Sequence, residues 1–454
     1  MLLKLYPQLS LKNLPATRRG PSSLAKDGAL RVSAEILEKL LGSTGLPNLN
    51  IRFWDGTYWP GNDPKPATLV LNRPSALKEM LSGGSEVSVA EAYVREAFEI
   101  EGDMIAACDL ADALDEETLG WTKTLSVALQ LAGLPDFSHE KKSGGFRLPL
   151  LDGKRHSPKR DRRAIQFHYD VSNEFYKHWL DSRMVYSCGY FEADDTSLDQ
   201  AQLAKLDHIC RKLDLRPGER FLDIGCGWGA LLLHAASRYG VHAVGVTLSK
   251  KQFDWTVKRV QEENLEQLVT VWLKDYRALP DDESYDKIAS VGMVEHVGTS
   301  HLPEYFGKVS SLLKPGGLFL NHGIGMGARP RRNEKECFIQ EFVFPDSDLQ
   351  PIGQMLAAAE GAQFDVRDVE SLREHYARTL RHWVTRLETR HDQAAAEIGE
   401  EAYRVWRLYL AGSAHGFQRG HLSIYQTLLA KMDAHGMAGV PLTRKDWYEQ
   451  KKPD

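Results

Sequence analysis

Cysteine is scarce in this chain: five residues among 454 (Cys108, Cys188, Cys210, Cys226 and Cys337), with no pair in C-x-x-C spacing. That excludes a disulfide framework and a zinc ribbon and fits a reducing compartment. Long apolar runs are lacking too. None approaches the roughly 18 residues of a membrane span, and the opening MLLKLYPQL meets charge too early for a signal peptide. A soluble or peripheral protein is therefore expected. An excess of basic charge is also missing, since 57 Lys and Arg stand against 62 Asp and Glu, so nothing global points to nucleic acid. What is present is ordinary globular composition, 42% hydrophobic and 26% charged, enough for large cores in two or three domains.

Residues 1–32 are rich in Pro, Gly, Ser and basic residues and read as a mobile lead. Residues 33–140 read as a small α+β domain: a helix capped by Ser33 and ended by Gly42, a hairpin over Ile51–Trp59 and a strand Thr68–Leu71. A helix follows from Ser75 to Leu81, then one opened by a Ser88–Glu91 capping box and carrying Ala92, Tyr93 and Phe98, then one over Asp103–Leu114. Residues 141–163 hold nine basic residues against Asp152 and Asp161, punctuated by Gly144, Gly145, Pro149 and Pro158. This is a basic linker, either a solvated hinge or a patch for anionic lipid headgroups.

From Arg220 onward strands and helices alternate: Arg220–Ile224, a helix Gly229–Tyr239, His242–Val246, a helix capped by Ser249, Val269–Leu273, Tyr285–Val291, a helix Pro303–Leu313 and Gly317–Leu320. The pattern predicts an α/β, doubly wound, mostly parallel sheet in a domain spanning 164–440, with 441–454 as a tail. After Cys337 the text reads as mainly helical. The segment Asp223-Ile-Gly225-Cys-Gly227-Trp-Gly229 leaves a strand and enters a helix, so its glycines let backbone approach a ligand. Spacing alone leaves NAD and S-adenosylmethionine both open. The second strand ends Val246-Thr247-Leu248-Ser249, without the acid a dinucleotide ribose takes.

Together, DIGCGWG (223–229), GVTLSKKQ (245–252), SVGMVEHVG (290–298) and LKPGG (313–317) resemble the bacterial cyclopropane-fatty-acyl-phospholipid synthases and the related mycolic acid methyltransferases. HYDVSNEFY (168–176), YSCGYF (186–191), HGIG (322–325), FVFP (342–345) and YLAGSA (409–414) extend the likeness over about 140–430, and weakly over the N-terminal unit.

The resemblance implies a Rossmann-like S-adenosylmethionine-dependent methyltransferase domain preceded by a small lipid-associated domain. It implies transfer of the methyl carbon to a cis double bond of a phospholipid acyl chain, with bound bicarbonate taking the proton lost as the ring closes. Carried over by position, Tyr186 and Ser187 touch the methionine end of the cofactor, Gly225 and Gly227 underlie it, Thr247 and Gln252 stand at ribose and adenosine, and Asp275 at adenine. Asp223 would fix the turn. Glu295, His322, Tyr376, Cys188 and the backbone of Ile324 would hold the bicarbonate without a metal. Tyr169, Phe175, Tyr176 and Tyr190 are candidates to face a cation.

Each also has a plainer reading: Cys188 as a small buried thiol, His322 as a hydrogen-bonded core histidine, His296 as packing only, Trp228 and Trp383 as core. The sequence departs from the family where Ser413 replaces a frequent cysteine, Phe342 a tyrosine, and Asp346-Ser347-Asp348 the usual glycines, which puts the lipid entrance in question. A homodimer, bound peripherally at the cytoplasmic face of a membrane through an unsaturated phospholipid, is the implied setting. Two readings compete: a methyl- or methylene-branched product on the same fold, and a lipid-binding protein without catalysis.

Overall fold

Residues 26–43, 45–116, 120–136, 153–169, 171–329 and 338–448 are described by the computed structural model. They separate into two units, one drawn from 1–148, 331–343 and 399–415, the other from 149–330, 344–398 and 416–454. The first unit thus takes in pieces of chain that the sequence reading places in the catalytic domain. The lead before Lys26, the linker before Gly153, Cys337 and the tail after Tyr448 lie outside the described residues.

In the smaller unit β1 (Leu49–Arg52), β2 (Tyr58–Trp59), β3 (Ala67–Leu71) and β4 (Phe98–Gly102) form a sheet in the order β2-β1-β3-β4. Several local expectations need correcting. The first helix runs from Lys26 to Leu41, and Ser33 sits fully buried inside it, on the face that carries Ala29, Ile36, Leu37 and Leu40, instead of capping it. Ser85, not Ser88, caps the helix Glu86–Val94, accepting a bond from Ser88 N. Phe98 belongs to β4, because the helix ends at Val94 and Glu96 turns left-handed at φ 56°. The helix expected over Asp103–Leu114 is two, Met104–Ala107 and Asp109–Glu116.

The larger unit carries a seven-stranded sheet ordered β10-β11-β9-β8-β5-β6-β7. Its strands are β5 (Arg220–Ile224), β6 (His242–Thr247), β7 (Val269–Leu273), β8 (Tyr285–Val291), β9 (Leu313–Met326), β10 (Phe364–Ser371) and β11 (Leu422–Lys431). β5 to β9 pair in parallel, and β5 and β8 are largely buried, as strands covered on both faces must be. β11 runs antiparallel between β9 and β10. Both late strands escape a helical reading of the segment after Cys337. The chain order reverses beside β5, where β6 lies on one side and β8 on the other, and that is where doubly wound sheets open a ligand crevice.

The end of the basic linker is not open chain either. Pro158–Tyr169 is a helix, and two of its nearby arginines are occupied internally: Arg160 forks onto Asp346 at 2.5 and 2.9 Å, with Arg155 3.4 Å from the same carboxylate. For this stretch the open-hinge reading fails, while Lys154, Lys159 and Arg162 stay exposed.

Candidate active site

A pocket opens at the carboxyl ends of β5, β6, β7 and β8. The turn after β5 shapes its floor: Gly225 and Gly227 have φ of 79° and 54°, and a Cβ on Gly227 would meet nothing within 4 Å, so this backbone is bare toward the pocket. Thr247, the last residue of β6, donates through Oγ1 to Gln252 Oε1 at 2.9 Å, and Ser249 caps the helix that carries Gln252. Asp275 follows β7 with both carboxylate oxygens on Arg277, which also reaches Asp161. Tyr186 and Ser187 line it as well. All eight residues expected at the cofactor, Asp223 among them, line this one pocket.

Asp223 departs from its expected task of bracing the turn. It is buried, its Oδ1 has no hydrogen-bond partner, and burial pushes its carboxyl up to about 7. Such an atom is available to a ligand. The sequence reading also passed over Lys205, a buried lysine on the helix Leu198–Lys212 that borders the same pocket. A lone lysine in a helix reads as solvent-facing, so no sequence signal marked it.

The five residues expected at the base converge beside the pocket, though none lines it. Glu295 lies in a short 3₁₀ turn after β8, and its Oε1 accepts a 2.6 Å bond from the Ile324 peptide N–H. His322 lies two residues before Ile324 on β9, hence on the same face of the strand. Cys188 donates to Gly189 O and, at 3.7 Å, to Leu372 O, at the start of the helix Arg373–Thr389 that carries Tyr376. Leu372 N in turn donates to Ile424 O, and Ile424 stands opposite Ile324 in the β9–β11 ladder. The pairing of β11 with β9 therefore draws the two halves of the set together.

Electrostatics favour neutral groups there. Burial pushes Glu295 up to about 7 and Cys188 far above its ordinary range, while burial, reinforced by the Lys205 and Lys212 cations, holds His322 well below 6.5. Glu295 Oε2 and His322 Nε2 are buried without partners, and Gln426 Nε2 stands 3.4 Å from His322 Nδ1.

Aromatic rings wall the region. Tyr169, Phe175 and Tyr176 cluster around Tyr186 and Trp228, but Tyr190 instead stacks between His208 and His375. Trp383 is buried, as expected of a core residue, whereas Trp228, buried too, lines the pocket. His296 lines the pocket, pushed down to about 4 by burial and by His156. The chain on both sides of Pro345 reaches this site: Phe344 packs on His168 with ring centroids 3.8 Å apart, and in the altered segment Asp348 N donates to Glu295 O.

Residues 156–427 match the model of the mycolic acid cyclopropane synthetase family. The chain belongs to that family. Within this cyclopropane synthetase family, the chain is 39% identical over 415 residues to a probable fatty acid methyltransferase of Pseudomonas putida, covering 91% of this chain and 99% of that one. It is 33% identical over 377 residues to the cyclopropane-fatty-acyl-phospholipid synthase of Escherichia coli strain K12, covering 83% and 91%. Among solved structures, mycolic acid cyclopropane synthase CmaA1 complexed with SAH and CTAB matches with a TM-score of 0.57 and 35% identity, over 60% of this chain and 98% of that one. The protein is thus a lipid methyltransferase of the cyclopropane synthetase type, with the methyltransferase sheet.

Proposed function

We propose that this enzyme converts a cis double bond in the acyl chain of a membrane phospholipid into a cyclopropane ring, with S-adenosylmethionine as carbon donor and bicarbonate as base. S-adenosylmethionine supplies an electrophilic methyl carbon, and bicarbonate an acceptor for the proton lost at ring closure. Support for the first comes from the bare Gly227 backbone, the Thr247–Gln252 pair and the orphaned Asp223 oxygen in one pocket. Support for the second is the observation that carries the reading: Glu295 fixed to the Ile324 peptide beside a neutral His322, each with one buried polar atom unspent.

The residues have separable tasks. The Ile324 N–H orients the Glu295 carboxyl, whose free oxygen accepts from, or when protonated donates to, a small oxyanion. Neutral His322 and the Tyr376 hydroxyl offer further donors, and the Cys188 thiol stays protonated instead of becoming a competing nucleophile. Aromatic walls exclude water and face positive charge with their π electrons, which favours an electron-deficient acyl carbon without capturing it.

For the lipid partner, Trp121 and Leu129 project from the helix Trp121–Gly133 with 63% and 54% exposure, two turns apart on one side. An apolar helical stripe with Trp at its end, followed in the chain by the basic residues of 141–147, suits peripheral contact with an anionic bilayer. No helix among the described residues is long and apolar enough to cross a membrane. We place the protein at the inner membrane face, as a homodimer.

Incubation with S-adenosylmethionine, bicarbonate and liposomes of cis-unsaturated phospholipid, followed by mass spectrometry and proton NMR of the fatty methyl esters, tests this. A gain of CH2 with upfield cyclopropane protons is expected. The second reading, favoured by the Pseudomonas putida relative being named a fatty acid methyltransferase, is a branched chain. Vinylidene or methyl-branch signals would establish it, and no gain on any lipid would leave a binding protein.

A further inference from the structure

Lys205 is an anomaly for a buried lysine. Its side chain is all but sealed from solvent, yet among the described residues it forms no ion pair, and its one hydrogen bond goes to Ser187 Oγ at 3.1 Å. The ammonium has three donors, so two remain. Its acidic neighbours do not take them. Asp181 is committed to the backbone N–H groups of Val185 and Arg183, at 2.7 and 3.1 Å, and Asp223 stands off with Oδ1 unbonded. A buried charge left in this condition is costly unless something else completes it.

The location narrows what that is. Lys205 borders the cofactor pocket beside Ser187 and Asp223. One turn earlier on the same helix, Gln202 donates to Ser187 O at 2.8 Å, so the helix fixes Ser187 and the lysine head together. The pocket's other strong cations are spent or exposed, since Arg277 is held by Asp275 and Asp161 and Lys274 faces solvent. The end of the pocket near Tyr186 therefore carries a cation with open donors and a carboxylate with an open acceptor, a pair complementary to an α-amino acid zwitterion.

We infer that Lys205 binds the α-carboxylate of the cofactor's methionine moiety, and that Asp223 Oδ1 accepts from its α-ammonium. Resting on the S-adenosylmethionine reading, this makes Lys205 the residue by which the enzyme requires an intact amino acid on its cofactor.

Calorimetric titration of the full chain with S-adenosylhomocysteine and with its decarboxylated form tests the assignment without turnover. A charge-assisted bond is expected to give wild type a preference of about tenfold to a hundredfold for the intact ligand. Lys205→Met should bring the two ligands within about threefold of each other, and Lys205→Arg should keep most of the preference. Equal weakening of both ligands in Lys205→Met would reduce the lysine to a prop and overturn the inference. So would a wild type that does not discriminate, a result that needs no variant to fold. An unchanged preference in Lys205→Met would overturn it as well. Wild type binding neither ligand would refute the cofactor reading itself, and the assignment with it.

Discussion

Replacing Glu295 by Gln should make the protein more stable and far less active, and the two effects should have different pH dependence. Burial moves this carboxyl from an ordinary 4.5 to about 7, which at 1.36 kcal/mol per pH unit corresponds to roughly 3 kcal/mol. Between those values the folded state binds a proton that the unfolded chain has released. Stability therefore falls as pH rises through that window, and the full deficit persists above pH 7. Glutamine cannot ionise and still offers an oxygen to the Ile324 N–H, so its advantage is expected to grow from near zero at pH 4.5 to as much as about 3 kcal/mol at pH 8. Activity should drop about a hundredfold or more, the usual cost of removing one pre-placed polar group. Denaturant unfolding of both proteins from pH 5 to 8, beside ring formation on liposomes, reads both effects. A stability difference that does not change with pH, or an active Glu295→Gln enzyme, would refute the reasoning.

Other positions make sharp tests. Gly227→Ala puts a methyl into the pocket at a left-handed φ, so S-adenosylhomocysteine affinity should fall about tenfold or more for a stability loss of about 1 to 2 kcal/mol; unchanged affinity in a calorimetric titration would remove the turn from the site. Asp346→Asn breaks the fork from Arg160, and a drop in melting temperature matching about 1 to 3 kcal/mol is expected, with no drop meaning that the pair contributes nothing. The double variant Trp121→Ser, Leu129→Ser should cut co-sedimentation with anionic vesicles at least several-fold while leaving the far-ultraviolet circular dichroism intact; full retention would exclude this stripe from docking.

The catalytic sheet is legible as far as β9 because parallel strands buried on both faces write themselves as short apolar runs between glycine turns. β10 is different: an edge strand, Phe364-Asp-Val-Arg-Asp-Val-Glu-Ser, half its positions charged, sitting between helices that set the local tone. β11 carries Leu and Gln at spacings a helix would accept, and only its place between two strands makes it one. The cofactor residues were found through motifs that are local in the chain. Lys205 was not, since its meaning lies in Ser187 above it and Asp223 beside it, and neither is near in sequence. The Asp346 segment read as a loss of glycine flexibility, but its carboxylate proves to be an anchor for Arg160.

β11 has one more implication, for how the enzyme comes into being. Among the described residues it is the last strand in chain order, yet it fills an inner slot of the sheet, with β9 on one side and β10 on the other. Until residues 422–431 have left the ribosome, β10 has no partner, Gln426 is missing from beside His322, and the edge of β9 lies open. Such closure through distant segments is slow, and an unpaired edge invites association in the meantime. The crevice at the nucleotide turn can take shape on a nascent chain, but the set around Glu295, His322 and Tyr376 beside it cannot be completed. A chain cut short anywhere before Leu422 is therefore expected to carry the nucleotide turn without the means to use it.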